Sequence, residues 1–429
     1  MIKVIASTWA LLIGVMLLMV GNGVQGTLLG IRGSLEGFST LQMSFVMSAY
    51  FVGFLGGSRM APEMIRRVGH VRVFAALGSF ISAVLILYPT VANPWAWMVG
   101  RVIIGFCFSG VYVTAESWLN NSVTNDIRGK ALSLYMIVQM VGIVAAQFLL
   151  VAGDPTGFVL FVIPSVLVSI SFAPILLSVQ PTPAFDTTKP LSLIELYHVS
   201  PLGMVGAFLL GGVYAAMFGM SAVFATQAGF SVVETSTFVA SIYVGGLLMQ
   251  YPIGWVSDRM DRRLLIAMLG IGGALAGAFG LVFGGAFVAV LVAGFMIGGM
   301  SNPLYALLIA YTNDFLEVDD MAAASGGLIF INGVGAIAGP IVTGWFMGLI
   351  GPLGFFVYIA LLMTAVAGYA FWRMTRRPGV SVEDTGSYAP VLPSSTAVAV
   401  DMAQEYFVEG LEEDAEEEAS AEEGAEARP

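Results

Sequence analysis

Charge is scarce in this sequence. Asp, Glu, Lys and Arg supply 10% of the 429 residues, while 58% are hydrophobic; soluble globular chains carry roughly 25% charged residues. So few charges cannot cover a water-facing surface, which excludes a soluble enzyme or a soluble binding module. Cysteine is nearly absent as well. Cys107 stands alone in an apolar stretch, so neither an internal disulfide nor a thiolate metal site is available. The two histidines, His70 and His198, fall between apolar runs and are expected in loops, which argues against a buried metal site. The sequence has no Gly-Lys phosphate-binding loop, so it is not expected to drive its own work with ATP. No metal and no other cofactor is expected.

Carboxylates are missing where catalysis would need them. Glu116 is the only one near the interior of an apolar run, so nucleophile, acid and base cannot be gathered there and no enzyme is expected. The acids concentrate elsewhere. From Gly379 onward lie 14 of the 28 Asp and Glu residues and one of the 17 Lys and Arg, a net of −13, which leaves +2 for the preceding 378 residues. The overall charge of −11 therefore belongs to a tail.

What the chain has in abundance is long apolar runs. Twelve are legible, at 5–24, 44–61, 71–90, 97–118, 131–151, 158–179, 202–225, 238–255, 264–283, 287–311, 321–349 and 353–372. Each is close to the 17 to 25 residues that cross a hydrocarbon core as a helix. Strands would be about half as long, and a segment in lipid must satisfy its own backbone. The fold class expected is therefore all-α and integral to the membrane. Lys3 before the first run resembles the start of a signal peptide, but eleven further runs favour an uncleaved first helix.

Direction follows from Lys and Arg. With the N-terminus placed in the cytoplasm, fourteen basic residues of the membrane body fall on the inner side, against Arg32 and Arg101 toward the outer side. The positive-inside rule then puts both termini in the cytoplasm. A hydrophilic stretch with Pro181, Pro183 and Pro190 divides the runs six and six. The expected organisation is a six-helix half at 1–180, a linker at 181–200, a second half at 201–377 and a disordered acidic tail at 378–429. Weak internal similarity supports two halves: Arg59 and Arg259 follow corresponding helices, and Asn125-Asp126 and Asn313-Asp314 occupy corresponding connections. Repeated six-helix units with a site between them are a recurrent transporter plan.

The stretch GWVSDRMDRR from Gly254 to Arg263 resembles the signature loop of the major facilitator superfamily, with Asp261 in place of its second glycine. Its counterpart PEMIRRVGHVR, from Pro62 to Arg72, keeps Arg67, Gly69 and Arg72 but has Pro62 for the first glycine and Arg66 for the acid. RVIIG at Arg101 resembles the Arg motif of the family's fourth helix. GAIAGPIVTG, from Gly335 to Gly344, resembles a Gly-Pro motif that the family carries in its fifth helix and this chain in its eleventh. The fragment TAESWLNNSVTNDIRGKALSLY resembles a bacterial subgroup of unassigned substrate. The resemblance implies a multi-pass protein of the cell inner membrane with twelve helices in two pseudo-symmetric bundles.

Polar residues inside apolar helices are the candidates for function. Arg101, Gly105, Ser109, Tyr112 and Glu116 share one roughly 80° stripe of the fourth helix. An intramembrane cation is a functional candidate by default, although an Arg near a helix end also snorkels. With Gln139, Tyr214, Gln250, Asn302, Tyr305 and Asn332 on other helices, Arg101 and Tyr112 are the expected lining of a solute cavity. Any one of these side chains can equally be packing glue between helices.

A cytoplasmic gate is implied by the resemblance and consists of Arg66, Arg67, Glu116, Arg128, Asp258, Arg259, Arg262, Asp319 and Asp320. In it Arg66 and Arg67 face Asp319 and Asp320, and Asp258 faces Arg128 and Lys130. The tail is expected to be solvated polymer; a short helix around Met402, Tyr406 and Phe407 that docks a partner is the other reading. The function expected is secondary active transport of a small organic solute, uncharged or anionic, by alternating access, with export slightly favoured. An uptake permease or facilitator and a non-transporting membrane sensor stay open as alternatives. The partners expected are the lipid bilayer, the solute and a proton or other ion, with no nucleic acid, in a monomer.

Overall fold

The structure, a computed structural model, describes residues 2–176, 192–381, 385, 386 and 388–404. Its elements are helices: α1 (Ile2–Leu35), α2 (Thr40–Val68), α3 (His70–Leu87), α4 (Pro94–Asn121), α5 (Asn125–Val151), α6 (Val159–Ser171), α7 (Ala173–Leu176), α8 (Leu193–Val199), α9 (Pro201–Ala215), a π-helical turn (Ala216–Met220), α10 (Ser221–Gln227), α11 (Val232–Ser257), α12 (Arg262–Phe283), α13 (Phe287–Asn313), α14 (Val318–Ile350) and α15 (Gly354–Met374). Among the described residues eleven helical segments are long and apolar enough to span a bilayer, with α9 through α10 acting as one. The twelfth expected span is α6, shorter, which continues past Phe172 into α7.

Local sequence explains where the helices start and stop. Ser39 with Gln42 and Ser231 with Glu234 form capping boxes at the heads of α2 and α11, satisfying backbone N–H groups that the first turn leaves unpaired. Asn93 caps α4, and Pro94 follows it at the first helical position, where its missing N–H costs nothing. The second helix runs past its expected end at 61, because Pro62 is accommodated inside it. It stops only at Gly69, whose φ of 87° suits glycine and whose N–H bonds back to Ile65. The expected loop from Pro62 to Arg72 is therefore almost entirely helix. Neither histidine is in a loop: His70 opens α3 and is buried, and His198 lies in the last turn of α8.

Small residues bring backbones together. A Cβ on Gly105 of α4 would sit 2.0 Å from the Tyr50 carbonyl oxygen of α2, and a Cβ on Gly298 of α13 would sit 2.0 Å from that of Ile242 on α11. Close backbone approach of this kind is how helices pack in lipid, where apolar burial gives no drive to associate. Gly105→Val would push backbone against backbone, and overpacking of that kind costs about 1–3 kcal/mol. The expected result is a lower melting temperature of the purified protein, read by intrinsic fluorescence, with less monodisperse material on size exclusion.

Helices α1 to α6 pack on one another, as do α9 to α15, and the two sets meet where α2 lies on α14, α5 on α11 and α1 on α10. One end of this seam is shut. There the Ser48 hydroxyl donates to the Ile337 carbonyl at 2.6 Å, Gln227 donates to the Thr40 hydroxyl, and Gly344 abuts Ser44. The other end carries the basic residues in the last turn of α2 and those after α11.

The basic end is where the tail departs from expectation. Residues 388–404 are not solvated polymer: Tyr388, Val391, Leu392, Ala399, Val400 and Met402 are buried, and 397–404 are helical. Their apolar residues come in short clusters broken by Pro393, Ser394 and Ser395, too brief to register as a periodic pattern. The helix expected around Met402 is present in part; Tyr406 and Phe407 lie outside the described residues.

Candidate functional site

Between the two sets of helices lies a cavity of about 150 Å³. Five of the eight expected cavity residues, Arg101, Tyr112, Tyr214, Asn302 and Asn332, line it. The other three are elsewhere. Gln139 is buried on α5 with its amide toward the Met136 sulfur, Gln250 donates to the Tyr388 hydroxyl at 2.8 Å, and Tyr305 packs edge-on against Tyr214 in the core.

Arg101 is placed by two features of α4. The Asn93 cap fixes the start of the helix two turns earlier, and Gly105 lets α4 approach α2, so the guanidinium lies 4.7 Å from the centre of the Tyr50 ring. It is 3% exposed, donates to the Gln25 side-chain oxygen at 3.0 Å and has the Met47 sulfur 3.5 Å away. Gln25 in turn donates to Asn22 at 3.0 Å, and Asn22 donates to the Tyr112 hydroxyl at 2.9 Å. Among the described residues no carboxylate faces this cation, and its Nε has no hydrogen-bond partner. A buried charge held only by dipoles and a ring face is costly to maintain.

Asn22, Gln25, Tyr50 and Gln147 also line the cavity and escaped the sequence reading. The first apolar run ends at 24 because Gln25 interrupts it, yet α1 continues to Leu35; the interruption was itself the signal of a polar helix face. Aromatic rings form part of the remaining, largely apolar wall. Tyr214 stacks on Phe218 at 5.4 Å and Phe218 on Tyr243 at 5.0 Å, and Phe218 is presented by the π-helical turn, a distortion frequent at functional sites.

The expected gate residues are engaged differently from the expected pairs. Arg66 and Arg67 both bond Glu63, one turn back on α2, at 2.6 Å each. Both are exposed pairs within one helix. Asp320 is exposed, and the Asp319 side chain lies outside the described residues. Asp258 accepts the Tyr388 N–H at 2.8 Å and has Arg262 3.8 Å away; burial pushes its carboxyl above the usual range, and Tyr388 and Arg262 work against that. Arg262 is buried, pairs with Asp314 and donates to the Gly386 carbonyl. Burial pushes the Asp314 carboxyl up to about 6, against the opposing pull of Arg262. Arg259 bonds the Trp255 carbonyl and covers its ring, and Arg128 is half-buried at the start of α5. Glu116, fully buried, accepts from Tyr135 at 3.3 Å and from Thr396 of the tail.

Comparison with known proteins fits this geometry. A family model described as Major Facilitator Superfamily matches residues 11–247 and 235–400. An uncharacterized MFS-type transporter of Enterobacter sp. (strain 638) is 27% identical over 342 residues, covering 79% of this chain and 88% of that protein. The uncharacterized MFS-type transporter YcaD of Escherichia coli O6:K15:H31 (strain 536 / UPEC) is 28% identical over the same coverage. Among solved structures, a mutant of the nucleoside transporter NupG superposes with a TM-score of 0.72 at 16% identity, over 85% of this chain and 99% of that one. A bacterial homolog of the human lysosomal transporter Spinster, inward-facing and unoccupied, gives 0.66 at 14% identity, over 95% and 98%. These superpositions establish the fold.

Proposed function

The chain belongs to the Major Facilitator Superfamily, and we propose that it is a secondary transporter whose solute is a small organic anion with an apolar or aromatic body. The observation that carries this reading is Arg101, a buried cation without a facing carboxylate in the wall of the cavity between the halves. A solute carboxylate or similar group would take the donors that Gln25 leaves free, and charge-assisted bonds of that kind are about twice as strong as neutral ones. The stacked Tyr214, Phe218 and Tyr243 offer rings to the remainder of the solute.

Alternating access follows as the proposed mechanism. The halves at 1–180 and 201–377, joined by 181–200, rock about the cavity, the basic end faces the cytoplasm, and the bonds at Ser48 and Gln227 break as the opposite end opens. In the outward-open state Asp258 would turn to Arg128 and Lys130, and Arg66 and Arg67 to Asp319 and Asp320. The cavity lining has no carboxylate among the described residues, so exchange of anions fits it better than a proton relay.

A thermal-shift screen of the purified protein tests the solute class. Organic monoanions should raise the melting temperature, and their amide or amine isosteres at equal concentration should not, since only a ligand that binds the native state stabilises it. Equal shifts from anions and cations would refute the assignment.

A further inference from the structure

The mouth of the cavity at the basic end is filled by the chain itself. Leu392, Pro393 and Ser394 form part of the cavity lining, and the segment around them is bonded to both halves. Toward the first half, the Thr396 N–H reaches Glu116 at 3.0 Å and the Thr396 hydroxyl bonds the same oxygen. Toward the second, the Tyr388 N–H reaches Asp258 at 2.8 Å, and the Gln404 amide donates to the Met321 carbonyl at 2.9 Å and to Ser325 at 2.6 Å. The Tyr388 ring rests on Gly254 so closely that a Cβ there would lie 2.6 Å from it.

We propose that the cleft between the halves at the basic end is a peptide-binding site whose occupant is this chain's own segment 388–404, held as a tethered plug that excludes solute and keeps that end from closing. Three observations support it together. The segment is buried and hydrogen-bonded on both sides, unlike a loop lying on a surface. It fills acceptors of two carboxylates, the buried Glu116 and the more exposed Asp258, and bonds to a charged acceptor are among the strong ones. It also takes the Asp258 oxygen that the closing gate would need, so docking and closure compete for one group. Tethering gives the segment a high effective concentration at its site, in the millimolar range for short flexible linkers, so weak intrinsic affinity suffices. The plug rests on the transport reading above for its purpose, though not for its test.

The test uses the full chain in proteoliposomes with Ile329→Cys, a cavity-lining position, and a membrane-impermeant methanethiosulfonate as the probe. Native Cys107 is buried and gives the background rate in the otherwise unaltered protein. Two perturbations are compared with the intact tail: the combined substitutions Tyr388→Ala, Leu392→Asp and Thr396→Val, and cleavage, after reconstitution, at a protease site inserted behind Gly379. Both should speed labelling at position 329 by about tenfold or more, the equivalent of losing one buried bond to a charged group. Unchanged labelling after both would overturn the plug. Since the assay needs no solute, its failure is separable from failure of the solute assignment.

Discussion

Arg101→Gln will all but abolish transport of organic anions while leaving the protein folded. Truncating one partner of a buried, hydrogen-bonded charge pair costs about 2–5 kcal/mol, a fall of roughly thirtyfold or more in the affinity that governs flux. Arg101→Lys should fall between, because an ammonium keeps the charge but loses the planar fork that grips a carboxylate. The same substitutions separate function from stability. In the structure Arg101 is buried without a facing carboxylate, so replacing it with a neutral amide removes a costly charge and should leave the melting temperature unchanged or higher. Lost flux with a strongly lowered melting temperature would instead mark Arg101 as structural.

The second large effect concerns the shut end of the seam. Thr40→Cys with Gln227→Cys, bridged by a short bifunctional methanethiosulfonate, should stop transport completely, and reduction should restore it. The two native side chains bond each other across the halves, and neither is buried, so the pair is reachable by the reagent and its replacement disturbs no core. Transport that continues with the bridge in place would rule out opening of that end as part of the cycle.

Sequence alone revealed the helices because lipid imposes length and apolarity directly on each segment. It revealed Arg101, Tyr112, Tyr214, Asn302 and Asn332 for a related reason: a polar side chain inside an apolar run must face protein or water. Gln139, Gln250 and Tyr305 satisfy the same pattern and yet meet other side chains, since a polar face reports burial in protein without reporting which neighbour it finds. Gln25 was lost because it ended an apolar run early, and Asn22 because it lay inside that run as a single polar residue. The tail was the least legible feature. Residues 388–404 have no pattern of their own that demands burial, and the cleft that buries them is built by helices α4, α5, α11, α13 and α14, far away in sequence. The gate shows the same limit: Arg66 and Arg67 pair with Glu63 one turn back on their own helix, a local partner that fixed motif spacing does not register.

Secondary transport of an organic anion through the Arg101 cavity is directly measurable. Its most direct test is flux of radiolabelled organic anions into proteoliposomes preloaded with unlabelled anion, with no nucleotide present. Counterflow is expected with the native protein and little or none with Arg101→Gln; flux that requires ATP hydrolysis, or that is equal in the two proteins, would contradict anion transport through this cavity.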